Sequence, residues 1–324
     1  MNRVLCITIA CLCVMIHYGC RCPHYDDNEI MRGSGVWQVW EVFARDDADC
    51  LEGLIQDGLP VNNLYSTLRN FKRSEVMKHI GSEERYSAQP LLMVAATCKA
   101  SKCMDLLVKH GADVSMRSLS GTTLLFACAF LDETNSVKWA ERLLKHPEIR
   151  VNDTNSFGES PLVWAMRRNN LALFDYLIQA GAKYNIRHWS GRSDNYNWYL
   201  FDAVKSSPVI LGKFLDLPGV KVNVTDSDGR NALFFVQAED EDYEEKVRIL
   251  VKHGIDINAR VNPETVITRL VKADFMKRLT PERIRFLREI GLSVDLIREG
   301  MEFARQHGNS RINDMIKESF DSKE

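Results

Sequence analysis

Three histidines, His110, His146 and His253, each directly follow a lysine, Lys109, Lys145 and Lys252. A set of imidazoles invites a metal or proton-transfer reading. Their register argues against it: each Lys-His pair falls in the last turn of an apolar helical stretch, where positive groups complement the helix dipole. One recurring structural position accounts for all three, and they stand at least a repeat apart. The run Glu239-Asp240-Glu241-Asp242-Tyr243-Glu244-Glu245 has the charge density of a calcium loop but not the Asp-x-Asp-x-Asp-Gly spacing with a closing Glu. It reads as a solvated loop between two helices, with its last carboxylates at a helix start. Asp46-Asp47-Ala48-Asp49 reads as a helix N-cap region in the same way. The sequence holds no zinc-spaced Cys/His set, no Gly-Lys phosphate loop, no Gly-x-Ser-x-Gly elbow, no His-Glu-x-x-His pair and no dinucleotide fingerprint. No catalytic residue, no metal ligand and no cofactor is therefore expected.

The nine cysteines sort by position. Cys6, Cys11 and Cys13 lie inside an apolar N-terminal run, Cys20 and Cys22 at its edge. Cys50, Cys98, Cys103 and Cys128 show no even spacing and fall on helical stretches, where cysteine acts as a small hydrophobe. Asn152-Asp153-Thr154 and Asn223-Val224-Thr225 fit the glycosylation pattern, but Asn152 and Asn223 align with Asn185 and Asn258 at the entry to a turn. There an Asn side chain satisfies local backbone groups, so a structural role is expected.

The elements that place these residues recur. Pro90-Leu91-Leu92-Met93-Val94, Thr123-Leu124-Leu125-Phe126-Ala127, Pro161-Leu162-Val163-Trp164-Ala165, Tyr199-Leu200-Phe201-Asp202-Ala203 and Ala232-Leu233-Phe234-Phe235-Val236 align on a Leu followed three residues later by Ala or Val. Positions 91, 124, 162, 200 and 233 step by 33, 38, 38 and 33. A second apolar helix follows, as in Met104 to Val114, Phe174 to Ala182 and Val247 to Asn258, and Gly111, Gly181 and Gly254 stop it. Two units end instead in Leu144 to Ile149 and Leu215 to Val220, with an extra turn that contains Pro. Each unit reads as helix, short turn, helix, extended hairpin.

These units resemble ankyrin repeats, whose period is about 33 residues and whose first helix opens with Thr-Pro-Leu-His-x-Ala. Ser160-Pro161-Leu162-Val163-Trp164-Ala165 carries the likeness most fully, with Gly181-Ala182 and Gly111-Ala112-Asp113-Val114 at the terminal turn. The motif His is absent, replaced by Leu92, Leu125, Val163, Phe201 or Phe234. The resemblance implies an all-α architecture: an α-solenoid of about seven or eight helix-turn-helix units with projecting β-hairpin loops, over residues 36–295. It further implies a non-catalytic scaffold that binds another protein on the face made by hairpins and first helices.

Within that span, 62–89 matches nothing, and Leu64, Leu68, Phe71, Val76, Met77 and Ile80 suggest an irregular helix or a degenerate repeat. Val36 to Val61 reads as a first unit, with Trp37, Trp40 and Phe43 on one helix and Leu51, Leu54 and Ile55 on the next. Ile284, Phe286, Leu287 and Gly291 mark a late unit, and 296–324 a polar helical cap. One hairpin is unusual: the entry Asn stands ten residues before the motif Leu at Asn152 and Asn223 but fifteen before it at Asn185. The added length carries Trp189, Arg192, Tyr196 and Trp198, the residue types that dominate interface energetics. These four are the candidate partner contacts, the alternative being that Trp198 and Tyr199 cover their own repeat.

With 42 basic and 44 acidic side chains the formal charge is −2, so the balance gives no argument for nucleic acid or anionic lipid. A monomer is expected. Met1-Asn2-Arg3 followed by the thirteen uncharged residues Val4 to Ile16 has the length of a signal-peptide core; a membrane span needs about 20 apolar residues. Residues 1–20 are read as a removable leader and 21–35 as a linker, which predicts export: periplasmic, membrane-anchored or secreted. Gly19-Cys20 resembles the end of a bacterial lipoprotein leader, with His17 and Tyr18 as departures, so lipidation at Cys20 competes with plain cleavage. Any membrane contact is expected only through that lipid or an uncleaved leader.

Overall fold

The structure is a computed structural model that describes residues 35–66, 88–189, 196–237, 241–261, 264–265, 267–268, 280–306 and 314. The leader, Cys20 and Arg192 lie outside the described residues, as do the side chains of Trp37, Trp189 and Tyr196. The chain divides into two compact units, Met1–Ser156 with Asp175–Ala180, and Phe157–Phe174 with Gly181–Glu324.

In the first unit α1 (Gly35–Arg45) and α2 (Ala48–Gln56) precede β1 (Leu64–Ser66) and β2 (Ala88–Pro90). Then come α3 (Leu91–Thr97), α4 (Ser101–Lys109), α5 (Leu124–Ala127) with a 3₁₀ turn over Cys128–Phe130, and α6 (Glu133–Leu143). In the second, α7 (Pro161–Arg167) opens the order, and α8 (Leu171–Gln179) runs on from it. β3 (Arg187–Trp189), β4 (Tyr196–Trp198), α9 (Tyr199–Val204) and α10 (Pro208–Leu215) follow. A 3₁₀ helix over Ala232–Phe235, α11 (Tyr243–Lys252), β5 (Arg260–Val261), β6 (Glu264–Thr265), α12 (Pro281–Glu289) and α13 (Val294–Gln306) complete it.

First helices are short and buried almost throughout, since Leu91 to Ala96, Leu124 to Ala127 and Leu162 to Met166 are core residues. In three units the turn into the second helix passes through a left-handed residue, Asp46, Lys99 or Asn169, at φ 50, 63 and 53. Asp46 does more than turn. Helix α4 has Ala100 at its N-cap and no side-chain cap of its own, and the Asp46 carboxylate accepts from Lys102 N (3.2 Å) and Cys103 N (3.0 Å) instead. The orphan donors of one helix are thus satisfied by its predecessor's turn. Asn169 accepts from Ser207 N (2.6 Å) in the same manner.

Second helices α2, α4, α11 and α12 share one exit. Gly111 N donates to Val108 O and Ala112 N to Leu107 O, and the pairs after Ile55, Val251 and Arg288 repeat this, a double bond that closes the last turn. It requires a positive φ, which Gly111 takes at 82° and Gly254 at 83°. The residue just beyond, Leu59, Ala112, Ile255 or Leu292, is buried. Helices α6 and α10 lack this glycine and add a turn, with His146 N on Leu143 O and Leu217 N on Phe214 O.

An asparagine then clamps each unit to the next. Asn62 Nδ2 donates to Gly111 O (3.0 Å) while its Oδ1 accepts from Asp113 N (2.7 Å). Asn223 does the same to Gly254 O and Asp256 N, and Asn258 to Gly291 O and Ser293 N. Asn185 Nδ2 reaches Gly219 O at 3.0 Å. The structural role expected of Asn223 is this clamp.

Three hairpins share one frame. The residue two after the entry Asn pairs with the residue that caps the following helix: Leu64 with Pro90, Arg187 with Trp198, Arg260 with Thr265. Entry Asn and capping residue are Asn62 and Pro90, Asn185 and Trp198, Asn258 and Thr265, so the intervals of 28, 13 and 7 residues fit one ladder. The stretch 62–89, read as an irregular helix or a degenerate repeat, thus carries paired strands at its two ends, Leu64–Ser66 and Ala88–Pro90. Its middle, 67–87, lies outside the described residues.

The helix caps also shift the register read from the sequence. Pro90, Thr123, Ser160, Trp198 and Asn231 are the N-caps of the first helices, stepping by 33, 37, 38 and 33. Leu91 and Leu124 therefore correspond to Pro161, not to Leu162. The residues at the motif His position become Met93 and Phe126 in the first two copies, with Val163, Phe201 and Phe234 unchanged. The late unit marked by Ile284, Phe286, Leu287 and Gly291 opens at Thr265, a start the sequence reading did not place, whose Oγ1 accepts from Thr268 N (3.2 Å) as a helix cap does.

Candidate binding surface

The hairpin with the added length is held at its base. Trp189 stands opposite Tyr196 and Arg187 opposite Trp198 in the β3–β4 ladder. The Arg187 guanidinium lies 5.3 Å from the Trp198 ring centre, and Trp198 Nε1 donates to Thr225 O (3.1 Å) in the next hairpin. Tyr199 is fully buried, and burial pushes its hydroxyl up to about 12. Trp198 therefore braces two hairpins, while Trp189 and Tyr196 occupy facing positions farther along the ladder.

Beside it, the ends of the first helices hold a charge network that the sequence reading did not assemble. Arg167 Nη1 donates to Glu159, and Arg167 Nε to Asp202 Oδ1 at 2.8 Å. Glu159 also accepts from Trp164 Nε1 at 3.0 Å. The carboxylate side chains are only 6% and 3% exposed, against 39% for Arg167. Burial alone lowers the Arg167 pKa, but Asp202 and Glu159 more than reverse this and raise it. Lys205 comes next in the row, 5.6 Å from the Phe235 ring centre. That ring stacks on Phe201 at 4.2 Å and carries Arg230 at 5.6 Å on its other contacts. Arg230 is engaged by Asp226 (2.7 Å) and Asp228 (2.6 Å). A signal was present in the sequence: Arg167 and Lys205 each stand five residues after the motif Leu, Leu162 and Leu200.

The histidines answer to helix ends. His110 and His253 are the C-caps of α4 and α11. Their Nε2 atoms meet Glu52 (2.8 Å) and Asp216 (3.1 Å), and the bond from His110 lowers the Glu52 pKa. His146 departs from the expected position, lying beyond the α6 C-cap Leu144. Asp47 caps α2 through Cys50 N at 3.0 Å, and Glu244 and Glu245 lie in the first turn of α11. Among the described residues no three His, Cys, Asp or Glu side chains gather as a metal site.

The cysteines depart from the sequence reading at one position. Cys98, Cys103 and Cys128 are free, and burial raises all three thiols, the first two to about 12. Cys50 is disulfide-bonded, not a free core thiol, and its partner lies outside the described residues.

Recurrent caps, glycine exits and hairpins set the terms for comparison with known proteins. Residues 77–188 match the family model for ankyrin repeats, in three copies. This stretch is ankyrin-repeat structure. The chain has an ankyrin-repeat fold of mostly helical content, and ankyrin repeats are a general protein–protein interaction scaffold; no catalytic family is indicated. Among solved structures, the human ASB11 ankyrin repeat domain is similar at 18% identity and a TM-score of 0.48, covering 71% of this chain and 89% of that one. A chain from the complex of the predatory endopeptidase Bd0816 of Bdellovibrio bacteriovorus with the immunity protein Bd3460 is similar at 22% identity and a TM-score of 0.45, covering 57% of this chain and 92% of that one. No curated protein matches the chain.

Proposed function

We propose that this chain is a non-catalytic ankyrin scaffold, exported from the cytoplasm, that holds a partner protein on its hairpins and first-helix ends. The observation that carries the reading is the 185–198 hairpin: its base is fixed by the Asn185 clamp and the Trp198 brace. Its added length carries Trp189, Arg192 and Tyr196, residue types that dominate interface energetics. A rigid base lowers the ordering cost of such a contact. Export is supported by the leader pattern of residues 1–20, and the Cys50 disulfide agrees with an oxidising compartment.

Affinity capture from the native compartment tests the binding reading. The wild-type protein is expected to retain a partner that Trp189→Ala/Tyr196→Ala loses; equal recovery by both removes the hairpin from the reading. A lipid-anchored envelope adaptor is the second form of the proposal, favoured by Gly19-Cys20, against a factor secreted to act on host proteins. Metabolic labelling with a fatty acid separates them. Label that disappears in Cys20→Ala supports the anchor, and its absence from wild type supports free secretion.

A further inference from the structure

Lys205 differs from its cationic neighbours. Arg167 and Arg230 are each tied to two carboxylates, whereas among the described residues no carboxylate lies within ion-pairing distance of Lys205. Its ammonium reaches the surface beside the Phe235 ring. Burial is the main cause that lowers its pKa; Asp202 raises it and Arg167 lowers it further. A partly buried ammonium with no carboxylate within ion-pairing distance among the described residues gains more from an incoming anion than a solvated surface lysine does.

The surroundings fit that anion. Both carboxylates that hold Arg167 are buried, and their bonds to it run through Nη1 and Nε. Asp228, the exposed carboxylate of the cluster, is occupied by Arg230. The rim therefore offers N–H donors, with the Phe201–Phe235 stack as an apolar floor. Because buried hydrogen bonds already hold Arg167, little side-chain entropy remains to be lost on binding.

We infer that Lys205, with Arg167 and Phe235, seats an aspartate or glutamate side chain from an acidic segment of the protein partner. The inference rests on the scaffold reading above and names the chemistry of its ligand. Burying the carboxylate between an ammonium and a guanidinium, against an aromatic ring, places its charge where water competes poorly.

The test uses the full chain and a fluorescein-labelled peptide of six glutamates spaced by glycine and serine, read by fluorescence anisotropy. Saturable binding that weakens with salt is expected, reduced about tenfold in Lys205→Met and unchanged in Lys145→Met. Methionine keeps the aliphatic stem on Phe235, and Lys205→Gln with a matched melting temperature guards against misfolding. Equal binding by wild type and both Lys205 variants overturns the inference. So does equal binding of the glutamine version of the peptide, or full displacement by stoichiometric inorganic phosphate. Capture of the natural partner separates the two levels. A partner lost by Trp189→Ala/Tyr196→Ala but retained by Lys205→Met overturns the carboxylate seat and leaves the scaffold standing; no partner for wild type overturns the scaffold reading.

Discussion

At the scale of single residues, Arg167 shows how stability and recognition share atoms. Arg167→Met leaves Glu159 and Asp202 buried without their cation, and a loss of about 2–3 kcal/mol is expected, at the low end for a broken buried pair because the outer guanidinium is already in water. Urea denaturation measures it. Adding Glu159→Gln and Asp202→Asn to that variant is expected to restore part of the loss, since uncharged groups cost less to bury. The three free thiols make a second residue-scale prediction. With Cys98 and Cys103 pushed up to about 12 and Cys128 raised by full burial, almost no thiolate exists at pH 8. Reaction of these three cysteines with a thiol reagent, followed by peptide mapping, is expected only after denaturant is added; rapid modification of any of the three in the native chain contradicts their burial. The cysteines on helices were legible as small hydrophobes, and Arg167 and Lys205 share a repeat position, but the network itself could not be assembled from the sequence. Arg167 and Asp202 stand 35 residues apart, and only stacking of successive first helices brings them together.

At the scale of elements, the caps and clamps are local and most of them could be read. Glycine exits, entry asparagines and Asp47 rest on spacings of a few residues, and the structure places them where the sequence put them. The register slipped where two leucines run together: Leu91 and Leu124 stand at the position of Pro161 and Leu92 and Leu125 at that of Leu162, so aligning on the first leucine displaced two copies by one residue. The late unit was recognised from Ile284 to Gly291, but its opening at Thr265 was not placed, because Val266 and Ile267 stand where the motif has Pro and Leu. Two predictions belong here. Asn223→Ala removes both bonds of a clamp and is expected to cost about 1–2 kcal/mol by urea denaturation. Asp132 caps α6 through Asn135 N at 3.0 Å, and the bonds from the Asn135 backbone and side chain hold its carboxyl below the usual value. A folded value below the unfolded one means a contribution present above about pH 4 and lost as pH falls through the folded value. Asp132→Ser, which keeps a cap but does not titrate there, is expected to reduce the drop in stability between pH 5 and 2.

At the scale of the whole chain, the Cys50 disulfide links covalent structure to compartment. A non-reducing peptide map of protein recovered from its native compartment is expected to show Cys50 crosslinked and Cys98, Cys103 and Cys128 free. Cys50 alkylated without reductant would remove this support for export. Of the 62–89 stretch, read from its scattered apolar residues as an irregular helix or a degenerate repeat, 67–87 lie outside the described residues, and the two ends pair as strands, Leu64 with Pro90.

The shared hairpin frame has a practical meaning. An asparagine at one end and a capping residue at the other define two fixed ports, and the chain already runs 28, 13 and 7 residues between such ports. Whatever is threaded between them leaves the ladder, the clamp and the following helix untouched. Foreign loops can be grafted there and screened for new specificities, with each candidate inheriting a scaffold whose folding was decided elsewhere.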